Sequence, residues 1–377
     1  MQKDIFADMI VVGAGVVGCA IARELSRVFP HKKIIVLEKL AGAGLETSSK
    51  NSGVLHSGLH QNSKFLKSRL CQEGLEVAVE YLNRNQLPGI HCGMIIASSG
   101  NIWSGGLYKD WKSLGHLLKN AYRQDIQLKF LLSRAIKKIE PNIKASCGIF
   151  IPHVWIIDPI AFTQKLYTDA QNQGVEFFFE NPVREVHMPR CSRIYEVITP
   201  KKCYFANTII NAAGLYADEI AAMGGFPHYK IFPWRGEYYE VVSEKKNLVN
   251  RLIYPVVPPG YPGKGIHFSP RVDGKLFIGP NARPVPRKNY YTEDKTPVEV
   301  FLKSAQKFLP DIEDGDLRWA YSGIRPKLTN DPIENDFIIS FDRASPPFIN
   351  LIGIESPGLT SSMAIAKYVA NMLKNVL

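Results

Sequence analysis

Met9-Ile10-Val11-Val12-Gly13-Ala14-Gly15-Val16-Val17-Gly18 is the stretch that decides the fold. Its first four residues form a continuous apolar run, the pattern of a strand buried on both faces. The GxGxxG then leads into a helical stretch, Cys19 to Val28, with Ile21, Leu25 and Val28 on one stripe. Gly13 permits the tight turn, Gly15 lets backbone approach a pyrophosphate, and Gly18 lets helix and strand pack closely. Lys33 to Leu37 is a second buried strand and ends at Glu38, twenty residues past Gly18. An acid there accepts hydrogen bonds from a ribose diol and disfavours a 2′-phosphate. A glycine-rich βα turn without a ligand is the plain alternative. The strand before, the helix after and the acid beyond weigh against it, so the unit reads as an adenine dinucleotide site.

Outward from this unit the texture changes. A nicotinamide enzyme would continue with alternating strands and helices. This chain runs instead into Glu46 to His60, a polar stretch with Gly53, Gly58 and two histidines, which reads as a loop wrapping a second ligand segment. Residues 65–84 carry Leu66, Leu70, Leu75, Val79 and Leu82 near the helical period. Residues 94–98 and 175–179 read as strands, and 181–310 as short β segments cut by prolines, most densely over 254–263. The strand-then-glycine texture returns at Thr208 to Gly214. A strand at Phe348–Ile352 and a helix with Ile365, Val369, Leu373 and Leu377 on one face close the chain. Alternation of the two textures predicts discontinuous domains.

The 377 residues suit about two domains, and 45% apolar with 21% charged residues is ordinary globular composition. Six cysteines, no two closer than twelve positions, exclude CxxC-type metal sites and a disulfide scaffold, and fit a reduced intracellular setting. Met9 to Ala22 is the longest apolar stretch, too short to span a bilayer and without the positive start of a signal peptide. Lys and Arg exceed Asp and Glu, 46 to 35. No zinc finger, RRM signature or basic helix accompanies the surplus, so nucleic acid is the least favoured partner. An anionic substrate or an anionic membrane surface remains, consistent with a cytoplasmic protein in peripheral contact with the inner membrane.

The opening turn with Glu38, Asn51 to Gly58, Asn211 to Ala217, Ser322 to Lys327 and Gly353 to Ser361 together resemble the FAD-dependent D-amino-acid-oxidase-type superfamily. Within it, Asn51 to Gly58, Gly265 to Gly274 and Gly279 to Ala282 are most similar to L-2-hydroxyglutarate dehydrogenases and oxidases. The resemblance runs essentially end to end. It implies an α/β fold: an FAD-binding, Rossmann-like domain of the glutathione-reductase type with an inserted β-rich substrate domain. The first would take residues 1–85, 145–215 and 320–377, the second 86–144 and 216–319. FAD would be held by Gly13, Gly15, Gly18, Glu38, Lys39, Thr47, Ser48, Asn51, Ser52 and Gly53. Ala213, Gly214, Gly323, Gly358, Leu359 and Thr360 would complete its site, the last three at a helix N-terminus facing the flavin.

The implied reaction converts L-2-hydroxyglutarate to 2-oxoglutarate, with glycerol 3-phosphate or a small amine as alternative substrates. A structural flavoprotein subunit is the non-enzymatic alternative. Oxidising a secondary alcohol requires a base for the hydroxyl proton as hydride leaves the carbon. His56 is the first candidate, His267 the second and His60 the third. Arg325 would clamp the substrate carboxylate, with Arg271, Arg235 and Lys327 as candidates for a second one. Electrons would pass to oxygen, a quinone or an electron-transfer protein. No metal-ligand set is visible.

Overall fold

Ile5–Val12 is a strand whose Met9, Ile10 and Val11 are wholly buried, because strands pair with both of its edges, helices cover the Met9 and Val11 face, and Val186, Tyr195 and Val197 share the core on the Ile10 face. The computed structural model describes residues 4–100, 106–189, 193–258, 261 and 263–376. Cys191, Leu377 and part of the proline-cut 254–263 segment lie outside the described residues.

Ile5–Val12 pairs in parallel with Ile34–Leu37 on one side and Cys203–Asn211 on the other. Glu176–Phe178 and Pro347–Ile352 extend the parallel sheet outward. Glu185–His187 and Tyr195–Ile198 add an antiparallel meander, and Ile338–Ala344 an antiparallel strand on Pro347–Ile352. The helix Val16–Val28 buries Ile21 and Leu25 against the last helix, Gly358–Lys374, whose Ile365, Val369 and Leu373 are fully buried. The first strand lies mid-sheet, so the crevice at its carboxyl end is where a doubly wound fold binds its ligand.

A second sheet of nine strands is mostly antiparallel. It runs through Arg283–Pro284, Phe232–Val241, Leu276–Gly279, His267–Pro270, Leu252–Pro255, Met94–Ser98, Cys147–Ile151 and Lys129–Leu132, with Leu317–Lys327 also on Phe232–Val241. Phe301, Phe308 and Leu309 pack on one of its faces. The helix Gly106–Arg123 packs on the other through Leu114 and Ala121.

Hydrogen bonding puts Cys147–Ile151 and Leu317–Lys327 in this second sheet, whereas the ranges expected from the resemblance gave 145–215 and 320–377 to the first. The reason is tertiary. Neighbouring strands along the chain carry similar apolar patterns, and only their pairing partners distinguish the sheets. The two parts touch at Gly323, where a Cβ would overlap the Lys50 carbonyl oxygen.

Candidate active site

The glycine turn has the geometry the spacing requires. Gly13 has φ +103°, and a Cβ on it would lie 2.6 Å from the Ala212 carbonyl oxygen. A Cβ on Gly18 would overlap Gly13's own carbonyl oxygen. Gly15 precedes the helix, and a Cβ there would face only Ser48 Oγ at 3.1 Å. The Val16 amide donates to Ser48 Oγ at 2.9 Å, tying the turn to the following loop.

Glu38 accepts from the Ala14 amide at 2.7 Å and the Leu40 amide at 2.9 Å. Burial pushes its carboxyl above the usual range, partly offset by those two amides. Two carboxylate oxygens offer about four acceptor sites, so lone pairs remain for a diol. The turn, the helix start and this acid fit an adenine dinucleotide. The Lys39 ammonium lies 2.9 Å from Glu46 and over the Tyr216 ring.

The loop from Glu46 to His56 is held by its own polar side chains. Asn51 Nδ2 donates to the Ser48 carbonyl at 2.7 Å, and Asn51 Oδ1 accepts from the Gly53 amide at 2.8 Å. Thr47 Oγ1 donates to the Ile324 carbonyl at 3.0 Å, and Ser52 Oγ pairs with Tyr238 OH at 2.9 Å. Gly53 and Gly58 both take positive φ. The His56 amide donates to Thr360 Oγ1 at 3.0 Å, fixing the loop to the start of the last helix. Gly214, Gly358 and Leu359 line the same cavity, and Ala213 flanks it.

That cavity has a volume of about 760 Å³ and lies between the two sheets. His56, His60, His267, Arg325, Lys327 and Lys264 all line it. His267 Nδ1 lies 2.8 Å from the Gly265 carbonyl, which can only accept, so Nδ1 carries the proton and Nε2 is a bare acceptor. Nε2 is buried and has no partner among the described residues. The ring stacks on Tyr254 at 3.7 Å. Burial pushes His267 down to about 3 and His56 down to about 4, with nearby positive charge adding to the effect at both. His60 is also held well below its ordinary value by burial. All three rings are neutral at neutral pH.

Arg325 donates to the Asn281 carbonyl at 3.3 Å, and that is its one hydrogen bond among the described residues. Most of its guanidinium fork is free for a ligand. Lys327 is buried, with its ammonium 4.4 Å from the Trp234 ring centroid, and burial lowers its pKa. Lys264 was not singled out from the sequence. It is half-buried against the cavity, donates to the His60 carbonyl at 3.3 Å, and is pushed down to about 8 by burial. Its only sequence signal is a lysine between two glycines, three positions before His267.

Two expected substrate residues are corrected. Arg235 is fully buried, and its fork donates to Glu237 and to the carbonyls of Tyr290, Glu293 and Asp294. Arg271 donates to the Asn51 carbonyl at 2.9 Å and to Tyr321 OH at 3.4 Å. Neither lines the cavity. Arg235 braces the second sheet, and Arg271 braces the loop.

A mitochondrial L-2-hydroxyglutarate dehydrogenase of Caenorhabditis briggsae is 28% identical, aligning with 97% of this chain and 92% of its own. A glycerol 3-phosphate dehydrogenase of Caloramator mitchellensis is 30% identical, with 98% and 74% covered. The solved structure of dithionite-reduced L-alpha-glycerophosphate oxidase from Mycoplasma pneumoniae, with FAD bound, superposes with a TM-score of 0.87. It is 27% identical over 98% of this chain and 95% of that one. The model of the DAO family, FAD dependent oxidoreductase, matches residues 8–372, and the chain belongs to that family.

Proposed function

We propose that this FAD-dependent oxidoreductase converts L-2-hydroxyglutarate to 2-oxoglutarate. The observation that carries the reading is a cavity holding two kinds of anion anchor, the Arg325 fork and the Lys264 and Lys327 ammonium groups, together with neutral histidines. A substrate with an anion at each end and an alcohol between matches that arrangement. The L-2-hydroxyglutarate dehydrogenases among the relatives support it.

FAD would be held by Gly13, Gly15, Gly18 and Glu38 at its adenosine diphosphate end and by the loop around Thr47, Ser48, Asn51, Ser52 and Gly53. The start of the last helix, Gly358 to Thr360, would face its other end. Bound there, FAD supplies the acceptor for the substrate's hydride. Arg325 would fix the carboxylate next to the reacting carbon. Lys264, with Lys327, would neutralise the far anion. His56 would take the hydroxyl proton as hydride leaves the carbon, with His267 Nε2, a bare acceptor, as the alternative base.

Glycerol 3-phosphate is a second reading. A compact lysine ammonium suits a phosphate as well as a carboxylate, and two of the similar proteins act on that class of substrate by name. Anaerobic mixing with each substrate decides between them. Fast bleaching of the flavin's visible absorbance by L-2-hydroxyglutarate, and not by glycerol 3-phosphate, is the expected outcome. The reverse overturns the assignment and keeps the cofactor.

Gly236 provides a sharper probe of the arginine. A Cβ there would lie 2.8 Å from Arg325 Nη2 and 2.9 Å from Pro280. The guanidinium is the flexible end of its side chain and can move aside, whereas the Pro280 ring must shift, so Gly236→Ala should lose some stability yet fold and retain FAD. Displacing the fork should nonetheless raise KM by ~10–100-fold. Unchanged KM would remove Arg325 from the substrate.

Lys264 predicts a pH dependence. The substrate anion needs the protonated amine, which predominates below about 8 and is lost as pH rises through that value. KM should therefore climb above pH 8. In Lys264→Met the climb should vanish, with KM already raised by ~30-fold or more.

A further inference from the structure

We propose that the outer face of the helix Gly106–Arg123, with the adjoining edge strand Lys129–Leu132 and the helix Ser133–Ile139, docks this protein onto an anionic lipid bilayer. Residues 106–144 carry nine Lys and Arg against three Asp and Glu, so 39 residues hold more than half of the surplus of the whole chain. Two of the three acids are already engaged. Asp110 accepts from Ser98 Oγ, and Glu140 is buried against Arg251 at 3.2 Å. Lys112, Lys119, Arg123, Lys129, Arg134, Lys137 and Lys138 are all exposed, and none has an ion pair or side-chain hydrogen bond among the described residues. Elsewhere on the surface, basic residues such as Arg27, Lys32, Lys33, Arg84 and Lys288 face carboxylates.

The same face exposes large apolar groups. Tyr108, Trp111, Lys112, Lys119 and Tyr122 recur at the helical period on the side opposite the buried Leu114 and Ala121. Tyr108 is 80% exposed and Tyr122 90%. Trp111 stacks on Phe130 at 5.3 Å, which joins the helix to the edge strand, and Leu132 beyond it is 63% exposed. Aromatic and aliphatic groups set among unpaired cations are the composition of a surface that dips into lipid headgroups. An exposed aliphatic side chain adds nothing to nucleic-acid binding, which the cations alone would permit. No helix among the described residues is long and apolar enough to cross a membrane, so the contact is peripheral.

The face is also placed for use. His116, Leu117, Asn120 and Arg123 of this helix line the substrate cavity, and Asn120 Nδ2 donates to the Leu59 and Gln61 carbonyls beside His60. A membrane-bound electron acceptor would lie close to the cavity mouth.

The test is sedimentation of the FAD-loaded protein with phosphatidylcholine vesicles, pure and in an equimolar mixture with phosphatidylglycerol. The protein should pellet with the mixture only and release as salt shortens the screening length from ~10 Å at 0.1 M to ~3 Å at 1 M. Each basic residue near an anionic surface is worth roughly fivefold in partition, so Lys112→Glu with Lys119→Glu should weaken binding by ~25-fold or more. Tyr122→Ser with Leu132→Ser should weaken it at constant charge. Lys303→Glu with Lys307→Glu, on the face of the second sheet opposite the helix Gly106–Arg123, makes the same change in net charge and should leave binding within a few-fold of the parent. Absence of binding, equal loss in the Lys303/Lys307 variant, or equal binding to pure phosphatidylcholine overturns the proposal. So does tighter, Lys112- and Lys119-dependent binding of a single-stranded oligonucleotide.

Discussion

His56→Ala should reduce its flavin ~10²–10⁴-fold more slowly than the parent at saturating substrate, with FAD content and substrate affinity nearly unchanged. The backbone of residue 56 does the structural work at this position. Its amide donates to Thr360 Oγ1, and its carbonyl accepts from Cys71 Sγ at 3.3 Å. Truncating the ring therefore leaves the loop anchored. Burial and the nearby Lys264 hold the ring down to about 4, so it is unprotonated and ready to accept at neutral pH. The active form is the neutral one, present above that value and lost as pH falls through it. The acid limb of the reduction rate should accordingly lie near pH 4–5, well below an ordinary histidine. His56→Gln keeps a hydrogen-bonding group without a base and should be slow as well. If His56→Ala stays fast, His267 inherits the role, since its Nε2 is already a bare acceptor. If both variants stay fast, proton abstraction by His56 or His267 is wrong, and His60 is the remaining candidate.

The parts of this site that were legible in the sequence are those set by local geometry. Gly13, Gly15, Gly18 and Glu38 lie within one strand–helix–strand unit, where spacing alone fixes who meets whom. Gly53, Gly58 and the two histidines marked the next loop for the same reason. The substrate face was harder because it depends on register. Trp234 pairs with Arg325, and Arg235 with Ile324. Side chains alternate across a strand, so Arg325 lies on the face of Trp234 and Gly236, and Arg235 lies on the opposite one. A slip of one residue would have exchanged them, and no local pattern reveals the slip. Lys264 was hidden differently. Its burial comes from packing the 254–265 segment over the cavity, and a lysine among prolines and glycines otherwise reads as a solvated turn.

That opposite face carries the second large effect. Glu237→Ala should destabilise the protein by about 3–5 kcal/mol, read as a lower urea midpoint of the FAD-loaded enzyme. Arg235 and Glu237 pair at 2.9 Å with both side chains fully buried. Removing the carboxylate leaves a buried guanidinium with only carbonyls around it, an uncompensated charge in a medium that solvates it poorly. The loss should also reach the cavity. Glu237 accepts from Asn281 Nδ2 at 2.9 Å, and its amide donates to Asn281 Oδ1 at 2.8 Å, so Asn281 is held at two points. The Asn281 carbonyl in turn is the acceptor that orients Arg325. Folded Glu237→Ala should therefore show a raised KM with little change in the rate of flavin reduction at saturation, because Arg325 is misplaced while His56 is not. Replacing the pair together, Arg235→Met with Glu237→Leu, should recover most of the stability, since no charge is then left buried. It should not recover the KM, because leucine keeps the backbone amide bond to Asn281 Oδ1 but its side chain accepts nothing from Asn281 Nδ2. A double variant that regains stability and affinity alike would mean that Asn281 holds Arg325 without help from Glu237.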